Sequence, residues 1–183
     1  MSRDRDYPDV VAGPFEAPPV SFEDRAGRTV EIRPYDGSDA EYEAVVEMYV
    51  AFDPADRAQG IPPGSEARIR SWLDGLLEKG SLNVVAWDGE TAAGHATLVP
   101  DGDTYELAIF VLQAYQEAGI GTRLMRGLLG YGADSGVDRV WLSVERWNKP
   151  AIGLYEKLGF GISDAESFEM EMSARIAAGD HTG

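Results

Sequence analysis

Apolar side chains recur along this chain with two different periods, and the periods divide it into strands and helices. Residues 28–33 (Arg-Thr-Val-Glu-Ile-Arg) alternate polar and apolar side chains, the pattern of a half-buried strand. Asp36-Gly37-Ser38-Asp39 offers a turn and a helix N-cap. Behind it, Tyr42, Val45, Val46, Tyr49 and Val50 mark one face of an amphipathic helix. Residues 53–64 hold Pro54, Gly60, Pro62 and Pro63 and read as a loop. Ser65 opens a second helix, with Ile69, Trp72, Leu73, Leu76 and Leu77 on its apolar face and an end near Gly80. Residues 82–87 and 92–99, joined by Asp88-Gly89-Glu90, predict a hairpin. Residues 104–112 form a nearly continuous apolar run, as in strands buried on both faces. Beyond it come a helix over 119–135, a strand over 139–144 and a short helix over 148–158. A return to the sheet follows between 160 and 172.

The order β-α-α-β-β-β-α-β-α-β predicts one α/β domain of the α+β mixed-sheet kind over 29–174, its sheet covered by helices. Residues 1–28, with Pro8, Pro14, Pro18 and Pro19 amid mixed charge, predict an irregular arm that packs on the domain rather than folding alone. Residues 175–183 read as a polar tail.

Composition narrows the chemistry. At 183 residues the chain is long enough to bury a sizeable core. No apolar run approaches the roughly 20 residues of a membrane span, and no hydrophobic segment follows the N-terminus, so a cytoplasmic location is expected. Cysteine is absent, which excludes disulfides, thiolate metal sites and a cysteine nucleophile. Only His95 and His181 supply imidazole, so no metal is expected. The 32 acidic residues against 16 basic ones give a net charge of −16. Such a surface repels nucleic acid and attracts cationic amines. The acids are scattered and only Lys79, Lys149 and Lys157 are lysines, a pattern that resembles proteins of salt-loving organisms.

The candidate chemistry begins where the apolar strand runs into residues 113–122, which open a helix. Free N–H groups at a helix start bind anions, and Gly119 and Gly121 let the backbone approach a ligand closely. A Walker loop would need Lys and then Ser/Thr after the second glycine, but Thr122-Arg123 stands there. A dinucleotide fingerprint would need a third glycine where this chain has Leu124.

Gln116-Glu-Ala-Gly119-Ile-Gly121 resembles the Gln/Arg-x-x-Gly-x-Gly/Ala signature of the GNAT superfamily of N-acetyltransferases. Asn148-Lys-Pro-Ala151-Ile-Gly-Leu154-Tyr155-Glu-Lys-Leu-Gly159-Phe160 is similar to that family's Asn-x-x-Ala-x-x-Leu-Tyr-x-x-x-Gly-Phe element. The resemblance implies a GNAT-like fold: a central, mostly antiparallel mixed sheet with a splayed parallel strand pair and helices on both faces. Acetyl-CoA would lie in that splay, between the strand ending at Val111 and its partner over 140–144, leaving CoA as product. A bulge would free backbone groups around Ile109, Phe110 and Val111 for the pantetheine amides. Gln116, Glu117, Ala118, Gly119, Ile120, Gly121 and Thr122 would hold the pyrophosphate, with Arg123 and Arg126 adding charge. Asn148 would cap its helix and touch the cofactor.

Tyr155 is the candidate acid for the departing thiolate. For the base that takes a proton from the amine, Glu106 is favoured, with His95 and Glu145 as alternatives. Relatives that acetylate protein N-termini carry a base one alternation before Glu145, where this chain has Ser143. Acceptor contacts are expected from Tyr49, Phe52, Asp53 and Asp56. The implied activity is acetyl transfer to a primary amine of a small molecule or protein by direct attack on the thioester. The rival is a non-catalytic acyl-CoA-binding or sensing module. No nucleic-acid or membrane partner is expected, and a homodimer using the proline-rich arm is compatible with the family.

Overall fold

The computed structural model describes residues 5–56, 61–164 and 169–176. Eight strands form one sheet: β1 (Val20–Glu23), β2 (Thr29–Pro34), β3 (Leu82–Asp88), β4 (Thr91–Asp101), β5 (Thr104–Val111), β6 (Arg139–Glu145), β7 (Gly161–Asp164) and β8 (Glu169–Arg175). Their spatial order is β1-β2-β3-β4-β5-β6-β8-β7. Every neighbouring pair is antiparallel except β5 with β6. The four helices are α1 (Asp39–Val50), α2 (Glu66–Leu76), α3 (Ile120–Asp134) and α4 (Lys149–Lys157). Among the described residues, no helix is long and apolar enough to cross a membrane.

Helices α1, α2 and α4 start where short polar side chains catch a free amide. Ser38 Oγ accepts from Glu41 N at 3.2 Å, Ser65 Oγ from Arg68 N at 3.3 Å, and Asn148 Oδ1 from Ala151 N at 3.3 Å. Strand alternation then sorts side chains between two cores. Leu107, Val140, Leu142, Val144, Met172 and Ala174 pack with Leu124, Leu128, Ile152 and Tyr155 of α3 and α4. Val85, Trp87 and Leu112 pack on the other face with Val45, Tyr49, Ile69 and Leu73 of α1 and α2.

Three findings depart from the sequence reading. The arm contributes an edge strand, β1, paired with β2 from Val20↔Ile32 to Glu23↔Thr29. Its burial alternates only between half-buried and exposed, so it carries no strong apolar period. The segment 160–172 is two strands rather than one return, β7 and β8, both placed beyond β6. The expected bulge near Val111 is absent: β5 runs beside β4 in unbroken register from Asp101↔Thr104 to Gly94↔Val111.

The arm does pack on the domain. Ala12 N donates to Arg175 O at 2.7 Å, extending a parallel bridge between Val11 and Arg175. On the other side, α3 passes so close to the arm that a Cβ on Gly130 would sit 2.6 Å from Glu16 O.

Candidate active site

The parallel pair β5–β6 is joined at only two registered positions, Tyr105↔Val140 and Glu106↔Trp141. Beyond them β5 stays with β4 while β6 stays with β8, so the two strands part. This splay, rather than a bulge, frees the backbone of β5. Leu112 N donates to Ala93 O of β4 at 3.0 Å. Alternation therefore commits the backbone of Phe110 to β4 and turns that of Ile109 and Val111 toward the opening. Phe110 lines the opening. The same divergence explains why residues 108–111, expected to be buried on both faces, are only half-buried.

A cavity of about 300 Å³ fills the opening, lined by Ile109, Phe110, Ser143, Val144, Glu145, Asn148, Tyr155 and Glu169, with Ile61 from the α1–α2 connection. Tyr155 reaches it from α4, its ring beside Phe160 at a centroid distance of 6.1 Å. Burial raises the phenol pKa, so the hydroxyl keeps its proton at neutral pH.

At the end of β5 the chain makes a 3₁₀ turn, Gln113–Tyr115, and enters α3 through Gly119. Gly119 has φ +88°, a left-handed conformation that suits glycine, and supplies no side-chain cap. The first amides of α3 are thus left for an external acceptor. Glu117 also has positive φ, +60°. Gln116 Nε2 donates to Val111 O at 3.0 Å, using one carbonyl the splay had freed.

The β1–β2 turn braces this loop. Asp24 Oδ1 accepts from Ala26 N and Arg28 N, and its Oδ2 from Arg28 Nε at 2.7 Å. Arg28 then donates to Ala114 O at 3.1 Å and lies 4.3 Å over the Tyr115 ring, while Arg25 N donates to Ala118 O at 3.0 Å. Arg25 also joins Arg126, Lys149 and Lys157 around a cavity of about 530 Å³ between α3 and α4, beside Thr122. Four basic residues meet there in a chain of net charge −16. Arg25 lies in the proline-rich arm, where no motif marked it. Lys149 and Lys157, two of only three lysines, were the available signal.

The candidate bases separate clearly. His95 is fully buried: Tyr49 Oη lies 2.6 Å from its Nδ1, and its Nε2 lies 2.7 Å from Asn83 Oδ1. Asn83 Nδ2 donates in turn to Leu76 O, closing a chain from α1 to α2. Both ring nitrogens are used, and burial lowers the His95 pKa to about 4. Glu106 stands at the vertex of the splay, on the sheet face opposite Leu107 and the α3 core. Glu106 is exposed, yet desolvation by the groups around it raises its pKa, reinforced by Asp101, Glu171 and Glu169 and opposed by Arg5. Glu145 is half-buried in the cavity wall.

Of the expected acceptor residues, Tyr49 lies near the end of α1 and the others follow it in the α1–α2 connection. Tyr49 is fully buried and Phe52 is 5% exposed, and both belong to the core beneath α1 and α2. Asp53 is exposed; its Oδ1 accepts from Ala55 N and its own N donates to Gln113 Oε1. The side chain of Asp56 and the whole of His181 lie outside the described residues.

A sheet opened at one parallel pair, with a glycine-entered helix beside the opening, defines an α/β fold built to take an extended phosphate-bearing ligand. The acetyltransferase (GNAT) family model matches residues 42–160, and the chain belongs to that family. It is 34% identical over 79 residues to an uncharacterised N-acetyltransferase of Mycobacterium tuberculosis, covering 42% of this chain and 51% of that protein. It is 36% identical over 81 residues to the mycothiol acetyltransferase of Corynebacterium glutamicum, covering 43% of this chain and 28% of the relative. The chain thus matches about half the length of the first relative and less of the second. Among solved structures, the GNAT domain of PAT from S. lividans superposes with a TM-score of 0.70 at 16% identity, over 86% of this chain and 96% of that one. The PaiA N-acetyltransferase of Thermoplasma acidophilum, in complex with coenzyme A, gives 0.58 at 21% identity, over 80% and 98%.

Proposed function

We propose that the protein is an N-acetyltransferase that moves the acetyl group of acetyl-CoA to a primary amine of a small molecule or protein. The observation that carries this reading is the splay itself: Tyr155 lines a cavity that opens where β5 and β6 part.

The residues present fit acetyl-CoA. Uncapped amides from Gly119 to Thr122 suit the pyrophosphate, and Arg25, Arg126, Lys149 and Lys157 suit further phosphate charge. The open-side backbone of Ile109 and the N–H of Val111 suit the pantetheine amides, and Asn148 lies on the same cavity. Acetyl-CoA brings an activated thioester. The chain supplies two proton carriers. Glu106, as carboxylate, takes the proton that the amine loses as the C–N bond forms. Tyr155 gives its proton to the sulfur as the C–S bond breaks. Water then returns a proton from Glu106 to Tyr155. His95 is set aside as base because both its nitrogens are engaged; Glu145 remains the alternative to Glu106.

Free thiol released from acetyl-CoA in the presence of a panel of amines tests the activity. Tyr155→Phe is expected to lower kcat by about 10-fold or more while leaving CoA affinity nearly intact. Unchanged turnover in that variant removes Tyr155 from the mechanism. CoA binding without turnover on any amine would mark a binding module instead.

A further inference from the structure

We propose that Trp141, Asp101 and Glu171 form an acceptor subsite for a guanidinium group, and that Arg5 of the chain's own arm fills it as a displaceable plug. The proposal rests on the transferase reading above and adds the acceptor's class: a primary amine that carries a second, guanidinium-like cation.

The site is built around the ring of Trp141. The guanidinium carbon of Arg5 lies 3.6 Å from the ring centroid, a stacked cation–π contact. Arg5 Nη2 donates to Glu171 Oε1 at 3.2 Å, and Nη1 faces Asp101 Oδ2 at 3.5 Å. Asp101 also fixes the floor, since its Oδ2 accepts from Trp141 Nε1 at 3.1 Å. The Arg5 side chain is only 6% exposed, and among the described residues its Nε and Nη1 have no hydrogen-bond partner. A buried guanidinium with five N–H donors and so few bonds is a poorly satisfied occupant. An untethered ligand can adjust its pose to the same aromatic floor and carboxylates; Arg5 is restrained by the arm, where Asp6 O accepts from Ser173 Oγ at 2.6 Å.

Its position ties it to the reaction. Trp141 is the last β6 residue registered with β5, directly across from Glu106. Glu171 lies on the same face of β8 as Glu169, which walls the Tyr155 cavity. One two-residue step along a strand is roughly 7 Å. A cation in the notch therefore leaves a short aliphatic chain able to carry an amine into the opening, past Glu106. The plug and such an acceptor exclude one another, so the arm limits access to the site.

Titration calorimetry with agmatine and with butylamine, on the full chain in the presence of CoA, tests this without turnover. If the plug fills the notch about nine-tenths of the time, Arg5→Ala binds agmatine about 10-fold more tightly than the wild type. Butylamine, which carries an ammonium but no guanidinium, binds both alike. Adding Glu171→Gln to Arg5→Ala removes the gain. Unchanged or weaker agmatine binding in Arg5→Ala overturns the proposal, as does an equal gain for butylamine. Should Arg5→Ala not melt cooperatively, Arg5→Lys is expected to show a smaller gain in the same direction; no gain overturns the proposal. Absence of acetyl transfer beside tightened agmatine binding would sink the transferase reading and leave this subsite standing.

Discussion

His95 illustrates how burial removes a titratable side chain from the chemistry. Its sequence position, on the strand before β5, and its ordinary pKa made it a plausible base. Neither reveals that Tyr49 and Asn83 take both its nitrogens. Its charge still matters to stability. The folded pKa is about 4, whereas an unfolded chain holds it near about 6.5. Between these values the unfolded state binds a proton that the folded state does not, so stability rises with pH across the window. It is fully present above roughly pH 6.5 and falls by up to about 3 kcal/mol toward pH 4. His95→Gln should be less stable near neutral pH yet show a flatter dependence across that window in denaturant melts. Glu106 acts in the other direction. Its carboxyl titrates above the usual glutamate range, and the base must be ionised. The acid limb of kcat/KM should therefore lie above that range and disappear in Glu106→Gln. A limb that survives there but vanishes in Glu145→Gln would transfer the role.

At the scale of elements, the entry to α3 and the α4 motif were legible because each needs particular residues in sequence: glycines at a helix entry, and a cap seven positions before Tyr155. The bracing of that entry was not, because it comes from about 90 residues upstream through backbone contacts, such as Arg25 N to Ala118 O, that any sequence could make. Asp24 holds the bracing turn. Burial opposes its ionisation, but the bonds from Arg28 and Ala26 prevail and lower its pKa. Arg25→Ala should raise the Kd for CoA several-fold, and more at low salt than at high, because it removes a cation from the α3–α4 cavity. Equal affinity at both salt concentrations would remove Arg25 from the site. Gly130→Ala tests the arm's docking. Its Cβ would meet Glu16 O at 2.6 Å, so a loss of about 1–3 kcal/mol in thermal or denaturant unfolding is expected.

For the whole molecule, the order of the elements followed from periodicity except at the two sheet edges, and the splayed parallel pair from the family resemblance. β1 and β7 are four residues long, and neither carries a run of buried positions, so neither stood out from a loop. The net charge of −16 is spread over a sheet and helices that must hold together against it. Screening weakens that repulsion, so Tm should rise as salt is raised from roughly 10 mM to 1 M. The same field favours cationic acceptors at a distance, which accords with an acidic, tryptophan-floored notch beside Glu106. The central claim is that the opening between β5 and β6 is where an amine meets the acetyl group of acetyl-CoA. Its most direct test is thiol release from acetyl-CoA by the full-length chain, with and without agmatine, followed together with formation of the acetylated amine. Amine-dependent thiol release matched by acetylagmatine, and strongly reduced in Tyr155→Phe, is the predicted result. CoA binding with no amine-dependent release, or release unaffected in Tyr155→Phe, would contradict it.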